Sequence, residues 1–323
     1  MLNRRQTTLA AALLLPGLVA AQQPLQGKTL RILVGFPPGG GTDAIARLLA
    51  EALRAELGAT LIVDNKAGAG GQLAAQALKA AEPDGTTLLL SHDHTVSILP
   101  LVMKNPGYQP AKDFVPVAGF ASFVNAIALA GATPASSLPE YLAWVKKAGQ
   151  GKGVIGVPAP SSVPEFLVKA LAAKQGLDLV PLPYRGSAPM MIEMLGGQIA
   201  AGVGSVPDLI ENHRAGRVRI VATLGGVRQA LLPDVPTLSE LGIGGYEDVP
   251  YYGLFAPAAT PAPLLAAWST ALERVLQQPA LRERLTAMGL AVGFMNGAQL
   301  AARERAYAQA WAKLIQASGF QPQ

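Results

Sequence analysis

Gly39-Gly40-Gly41, followed by Thr42 and Asp43, is the strongest chemical signal in the sequence. It lies between an apolar run and an amphipathic stretch, where free backbone N–H groups and a helix dipole would converge on an anion. A carboxylate is the group such a loop serves best; a tight turn that needs glycine and nothing more is the plain alternative. The spacing Gly39-x-Gly41-x-x-Ala44 also fits a dinucleotide fingerprint, with Asp64 where a ribose-binding acid would stand. Asp43 weakens that fit by setting a carboxylate beside the pyrophosphate position. Gly27-Lys28-Thr29 is not a phosphate loop, because the upstream glycine of that motif is replaced by Gln22.

Further candidates occupy comparable places. His92-Asp93-His94-Thr95 follows a strand pattern on the same expected sheet edge, so Asp93, His94 and Thr95 could hydrogen-bond a ligand or form a structural loop. His-x-His in extended chain points its rings apart, and no third ligand cluster accompanies it, so neither a metal nor another cofactor is expected. Ser161, Ser162, Ser187 and Ser205 fall at strand ends just before helix patterns, where hydroxyls would converge on a crevice. Tyr184 and Arg185 accompany Ser187, and Arg185 either clamps a carboxylate or lies exposed. Catalysis lacks its parts: no serine sits in a Gly-x-Ser-x-Gly elbow, and His213 reads as a solvated helix-end residue. Met190, Met191, Met194 and Leu195 read as packing.

The elements that must position these residues alternate. Thr29 to Phe36 predicts a strand, and Ile45, Leu48, Leu49, Ala52, Leu53 and Leu57 share a helical face up to the Gly58 stop. Thr60 to Val63, Gln72 to Ala81 and Thr87 to Leu90 repeat the order as strand, helix and strand. Phe114 to Phe120 and Asn125 to Ala130 read as extended chain crossing into a second domain. There the alternation resumes, with strands at 154–157, 179–182, 199–203 and 218–224 and helices between them. Tyr251 to Ala256 is a further strand, and the C-terminal third reads as helix with Leu300, Tyr307, Trp311, Leu314 and Ile315 as its packing stripe. Alternating β and α elements of this length predict mostly parallel sheets flanked by helices.

Composition narrows the class. The 323 residues, half of them hydrophobic, exclude disorder and suit two domains. Zero cysteine excludes disulfides, thiol nucleophiles, thiolate metal sites and a lipid on cysteine. The formal charge of +5 is thin for a nucleic-acid binder. Residues 1–21 read as a signal peptide cleaved near Ala20 or Ala21, with Arg4 and Arg5 before an apolar run that Pro16-Gly17 makes too short to span a membrane. Gln6-Thr7-Thr8 favours the general export route over the twin-arginine one. The mature chain is expected in the periplasm as a monomer.

The stretches RILVGFPPGGGTDAIARLL from Arg31, VDNKAGAGGQLAAQ from Val63, PDGTTLLL from Pro83, PYRGSAPMMIEMLGGQ from Pro183, AGRVRIVA from Ala215, PDVPTLSELG from Pro233 and GLFAPAATP from Gly253 together resemble the Bug family. These are the extracytoplasmic solute receptors associated with tripartite tricarboxylate transporters. The resemblance implies a two-lobed periplasmic binding protein of type II, closing on an amino acid, a dicarboxylate or an aromatic acid and serving a membrane permease. It implies a ligand carboxylate held between Phe36 to Asp43 and the Ser161-Ser162 loop, with Thr95, Tyr184 and Ser187 lining the crevice. Glu165 departs from the family, which usually has histidine there; it either faces the cleft, favouring a ligand with a donor group, or caps its helix. Asp93 could receive a ligand ammonium.

The expected division is 25–122 plus 224–323 as lobe 1 and 123–223 as lobe 2. The leading reading is a binding protein that closes by a hinge around a small organic anion or amino acid. The alternatives are an exported nucleotide-dependent oxidoreductase using Gly39-x-Gly41, and a receptor feeding a sensor.

Overall fold

The computed structural model describes residues 24–322, so the expected signal peptide lies outside the described residues. The chain opens with β1 (Thr29–Val34), α1 (Gly41–Leu57), β2 (Thr60–Asn65), a 3-10 turn at Ala69–Gly71, α2 (Gln72–Lys79) and β3 (Thr87–His92). A π-helical turn, His94–Ile98, runs into α3 (Leu99–Val102), followed by α4 (Pro110–Asp113) and β4 (Phe114–Ser122). The second stretch holds β5 (Asn125–Ala130), α5 (Leu138–Lys147), β6 (Lys152–Val157), α6 (Val163–Gln175) and β7 (Asp178–Pro183). It continues with α7 (Ser187–Leu195), β8 (Ala201–Ser205), α8 (Val206–Arg214) and β9 (Val218–Thr223). The chain ends in β10 (Tyr251–Pro257), α9 (Ala262–Leu276), α10 (Pro279–Ala287), β11 (Ala291–Asn296) and α11 (Gly297–Ala317).

Local sequence explains the first unit. The branched residues of β1 bury Leu30, Ile32, Leu33 and Val34 on both faces, as a central strand requires. Ile45, Leu49, Leu53 and Leu57 turn one face of α1 onto the sheet. Gly58, at φ 58°, ends the helix in the left-handed conformation and returns its N–H to the Arg54 carbonyl.

Two sheets result. The six-stranded sheet has the order β11-β4-β10-β3-β1-β2, and the five-stranded sheet β7-β6-β8-β5-β9. Pairings of β1 with β2 and β3, and of β6 with β7 and β8, are parallel. All other pairings are antiparallel, so the sheets are mixed rather than mostly parallel. The reason is connectivity. Parallel neighbours need a helical crossover that returns the chain to the same end, whereas β10 re-enters the first sheet from the second and inserts between β3 and β4 against both.

Only Phe123 and Val124 separate β4 in one sheet from β5 in the other, and residues 224–250 make the return. The two crossings are tied together: Phe123 N–H donates to Pro250 O at 3.1 Å and Leu224 N–H to Asn125 O at 2.8 Å. Each face of the first sheet has its own core, one beneath α1 and α9 around Trp268, the other beneath α2 and α11. The α11 stripe buries Leu300, Tyr307, Trp311 and Ile315, while Leu314 is exposed. Trp311 reaches Phe166 of α6, with ring centroids 6.3 Å apart, so this helix touches both halves.

Candidate ligand-binding site

The segments after β1, β3, β6, β7 and β8 meet between the two sheets and enclose a cavity of about 50 Å³. Of the residues expected to bind a ligand, Phe36, Gly40, Thr42, Asp93, His94, Ser162, Ser187 and Ser205 line it. Gly39, Gly41, Asp43, Thr95, Ser161, Tyr184 and Arg185 do not.

The glycine loop shows why those residues were needed. Gly39 has φ +86°, which other residues adopt at a cost. Gly41 is pressed against the second half: a Cβ there would lie 2.8 Å from Asp208 Oδ1 and 3.1 Å from Pro207. Asp43 braces the loop from behind. Its carboxylate accepts from Gly39 N–H (3.0 Å), Asn65 Nδ2 (2.9 Å) and Arg47 Nε (3.0 Å), and Arg47 Nη2 lies 2.9 Å away. Burial pushes this carboxyl up, but the hydrogen bonds from Arg47, Gly39 and Asn65, with the Arg47 charge, outweigh it and hold it below 3.8.

Several of the residues expected to contact a ligand make hydrogen bonds within the protein. Thr95 Oγ1 donates to Gly70 O at 2.9 Å and Tyr108 OH to Thr95 O at 2.5 Å, locking the π-turn to the 3-10 turn. Ser161 N–H donates to Glu165 Oε2 at 2.7 Å, and Glu165 N–H to Ser162 Oγ at 3.4 Å, a reciprocal cap of α6. Glu165 also meets Lys169 at 2.5 Å, so it caps its helix and does not line the cavity. Tyr184 OH donates to Glu193 at 2.5 Å, and Arg185 is exposed.

The residue that sequence reasoning missed is Asp208. It stands in the first turn of α8, and its carboxylate accepts from Gly41 N–H (2.7 Å), Ser187 Oγ (2.5 Å) and Ser205 Oγ (2.6 Å). Elements of both halves thus converge on one carboxylate at the start of α1, where sequence reasoning placed a ligand's. The spacing Ser205-x-x-Asp208 directly after a strand was the available signal. With the Gly41 N–H donated to Asp208 and the Gly39 N–H to Asp43, neither donor is free for the pyrophosphate of a dinucleotide.

Also missed were the aromatic wall and the role of His92. Its ring stacks on Phe36 at 4.9 Å and meets the edges of Phe123 and Tyr252 at 5.8 and 5.4 Å. Tyr252 OH and Thr42 Oγ1 share a hydrogen bond of 3.2 Å. Burial raises this phenol far above its ordinary range, and the charges of Asp208 and Asp93 add to the effect. His94 is buried with neither ring nitrogen hydrogen-bonded. Desolvation, helped by His92 and opposed by Asp93, lowers it to about 4, so the ring is neutral at pH 7.

Similar proteins include solved periplasmic binding proteins. BugT of Bordetella pertussis (strain Tohama I) is 30% identical over 266 residues, which are 81% of this chain and 80% of BugT. The structure of the periplasmic binding protein BugD superposes with a TM-score of 0.86 at 31% identity, covering 92% of this chain and 99% of BugD. MatC from Rhodopseudomonas palustris, solved with bound malate, gives a TM-score of 0.81 at 28% identity, covering 89% and 99%. The two-lobed fold is therefore that of the type II periplasmic binding proteins. Residues 45–320, from α1 through the last helix, match the family described as "Tripartite tricarboxylate transporter family receptor", and the chain belongs to it, among the Bug receptors.

Proposed function

We propose that this protein, exported to the periplasm after cleavage near Ala20 or Ala21, binds a small carboxylate-bearing solute between its lobes. It then delivers that solute, as a monomer, to the membrane permease of a tripartite tricarboxylate transporter. Lobe 1 comprises 25–122 plus 224–323, lobe 2 comprises 123–223, and the paired crossings beside Phe123 and Leu224 are the hinge.

One observation carries the reading: the Gly41 N–H of lobe 1 and the Ser187 and Ser205 hydroxyls of lobe 2 close on a single carboxylate, that of Asp208. Donors from both lobes around one small group are what a hinge-closing receptor needs, because contacts present only in the closed form shift the population toward it. The malate in the MatC structure is a carboxylate ligand held by the same fold.

The test is mass spectrometry of solute released from the purified protein, followed by thermal unfolding with a carboxylate panel and with nicotinamide nucleotides. A carboxylate at a hundred times its Kd is expected to add about 2.7 kcal/mol. Stabilisation by a nucleotide and by no carboxylate would sink the proposal.

A further inference from the structure

The donors gathered at the start of α1 are all engaged by the protein's own acid. Asp208 is held by hydrogen bonds of 2.7, 2.5 and 2.6 Å and packed behind Gly41 and Pro207, so the seat for an anion is already filled. A second acid faces the same cavity: Asp93 is 3% exposed, with one oxygen 3.2 Å from His92 Nδ1. Among the described residues, no lysine or arginine lines this cavity.

His94 lines it too, 5% exposed and with both ring nitrogens unpartnered. A buried polar side chain without a partner is costly unless something else satisfies it. A neutral imidazole carries one N–H and one bare nitrogen; Nε2 packs against Gly70, which leaves Nδ1 for a solute group. The remaining wall is aromatic, Phe36 stacked with His92 and flanked by Phe123 and Tyr252, and such faces attract cations.

Resting on the receptor reading above, we infer that the solute is an organic acid that also carries a cationic nitrogen, an amino acid or related zwitterion, and that simple dicarboxylates are rejected. The cationic group faces Asp208 and Asp93. A dianion would bring like charge against one buried and one half-buried carboxylate with no lysine or arginine to offset it, which is how a site selects by repulsion as well as attraction.

Titration calorimetry on the purified protein, freed of solute by unfolding and refolding, tests this with amino acids and dicarboxylates of matched length, for instance 4-aminobutyrate against glutarate. At least one amino acid is expected to bind more than tenfold tighter than its matched dicarboxylate. Asp208→Ser, which removes the charge and supplies a hydroxyl oxygen as acceptor in its place, is expected to shift that ratio at least tenfold toward the dicarboxylate. Asp208→Asn, nearly isosteric, is expected to shift it the same way should the serine variant fail to fold. A dicarboxylate bound by the wild type as tightly as any amino acid, or a ratio unmoved by both variants, overturns the inference and leaves the receptor reading standing. Binding of neither class by wild type or variant overturns the receptor reading itself.

Discussion

Two neighbouring side chains at the start of α1 show how position alone misleads about role. Asp43 and Thr42 both follow the glycines, yet Asp43 faces away from the cleft into Arg47 and Asn65, while Thr42 lines it against Tyr252. Asp43→Ala leaves the Gly39 N–H and Asn65 amide without their acceptor, and hydrogen bonds to a charged group contribute most of what is lost. We expect destabilisation of about 2 kcal/mol by urea denaturation. Thr42→Val keeps the shape and strips one neutral hydrogen bond, so a loss of about 1 kcal/mol is expected, with weakened solute binding by calorimetry. Unchanged binding would make Thr42 a purely structural partner of Tyr252. The serines were legible because hydroxyls at strand ends have few other tasks. Glu165 was legible only as a choice, and the reciprocal cap with Ser161 and Ser162 makes it. Asp208 was not legible, because an acid in the first turn of a helix already has a sufficient local reason to be there.

At the scale of elements, the strand–loop–helix units announced themselves through period and punctuation, and the π-turn did not. Sequence reasoning ended β3 at Leu90 and read a loop at His92 to Thr95; the strand runs on through His92 and the chain then winds His94–Ile98 as a π-helix. The branched residues Thr95, Val96 and Ile98 disguise helix as extended chain, and Pro100, lacking an N–H, cannot donate to Val96 O to form a regular α-turn. Wide turns of this kind aim side chains that a regular helix would not, here Asp93 and His94 into the cleft. The start of α1 carries the element's prediction. Gly41 is the first residue of α1, so Gly41→Ala gains only part of the ~1 kcal/mol that the same change gives in a helix interior. Its new Cβ also meets Asp208 and Pro207 across the cleft. Thermal stability is therefore expected to hold or rise while closure fails, seen as a larger radius of gyration by small-angle scattering and about tenfold weaker solute binding. An unchanged radius would mean that the lobes can shift to admit a methyl group.

For the whole molecule, the crossings near 123 and 224 were visible as strands with no helix between them, but the closeness of the lobes was not. The cavity of about 50 Å³ is smaller than the roughly 150 Å³ void that admits benzene, so a solute of that size does not fit with the lobes as close as they stand here. A buried group and a half-buried one beside this region titrate in opposition. His94, lowered to about 4 by burial from 6.5, takes up its proton more readily in the unfolded chain, so its contribution is present above 6.5 and lost as pH falls toward 4. Glu304 on α11 is raised to about 7 by burial, with Arg305 opposing, so the folded state holds its proton and gains stability as pH falls from 7 toward 4.5. Each is worth about 2 kcal/mol between pH 7 and pH 5, with opposite sign. The wild-type urea midpoint is therefore expected to change little over that interval. His94→Gln leaves the Glu304 contribution alone, so the variant gains about 2 kcal/mol on going from pH 7 to pH 5, and Glu304→Gln loses about as much. A flat profile in the His94 variant would show that Glu304 is not raised by burial, and a wild type that gains as much as this variant would show that the His94 ring is not lowered. Only below 3.8 does Asp43 enter, its stabilisation falling away as the carboxyl that braces the glycine loop takes up a proton.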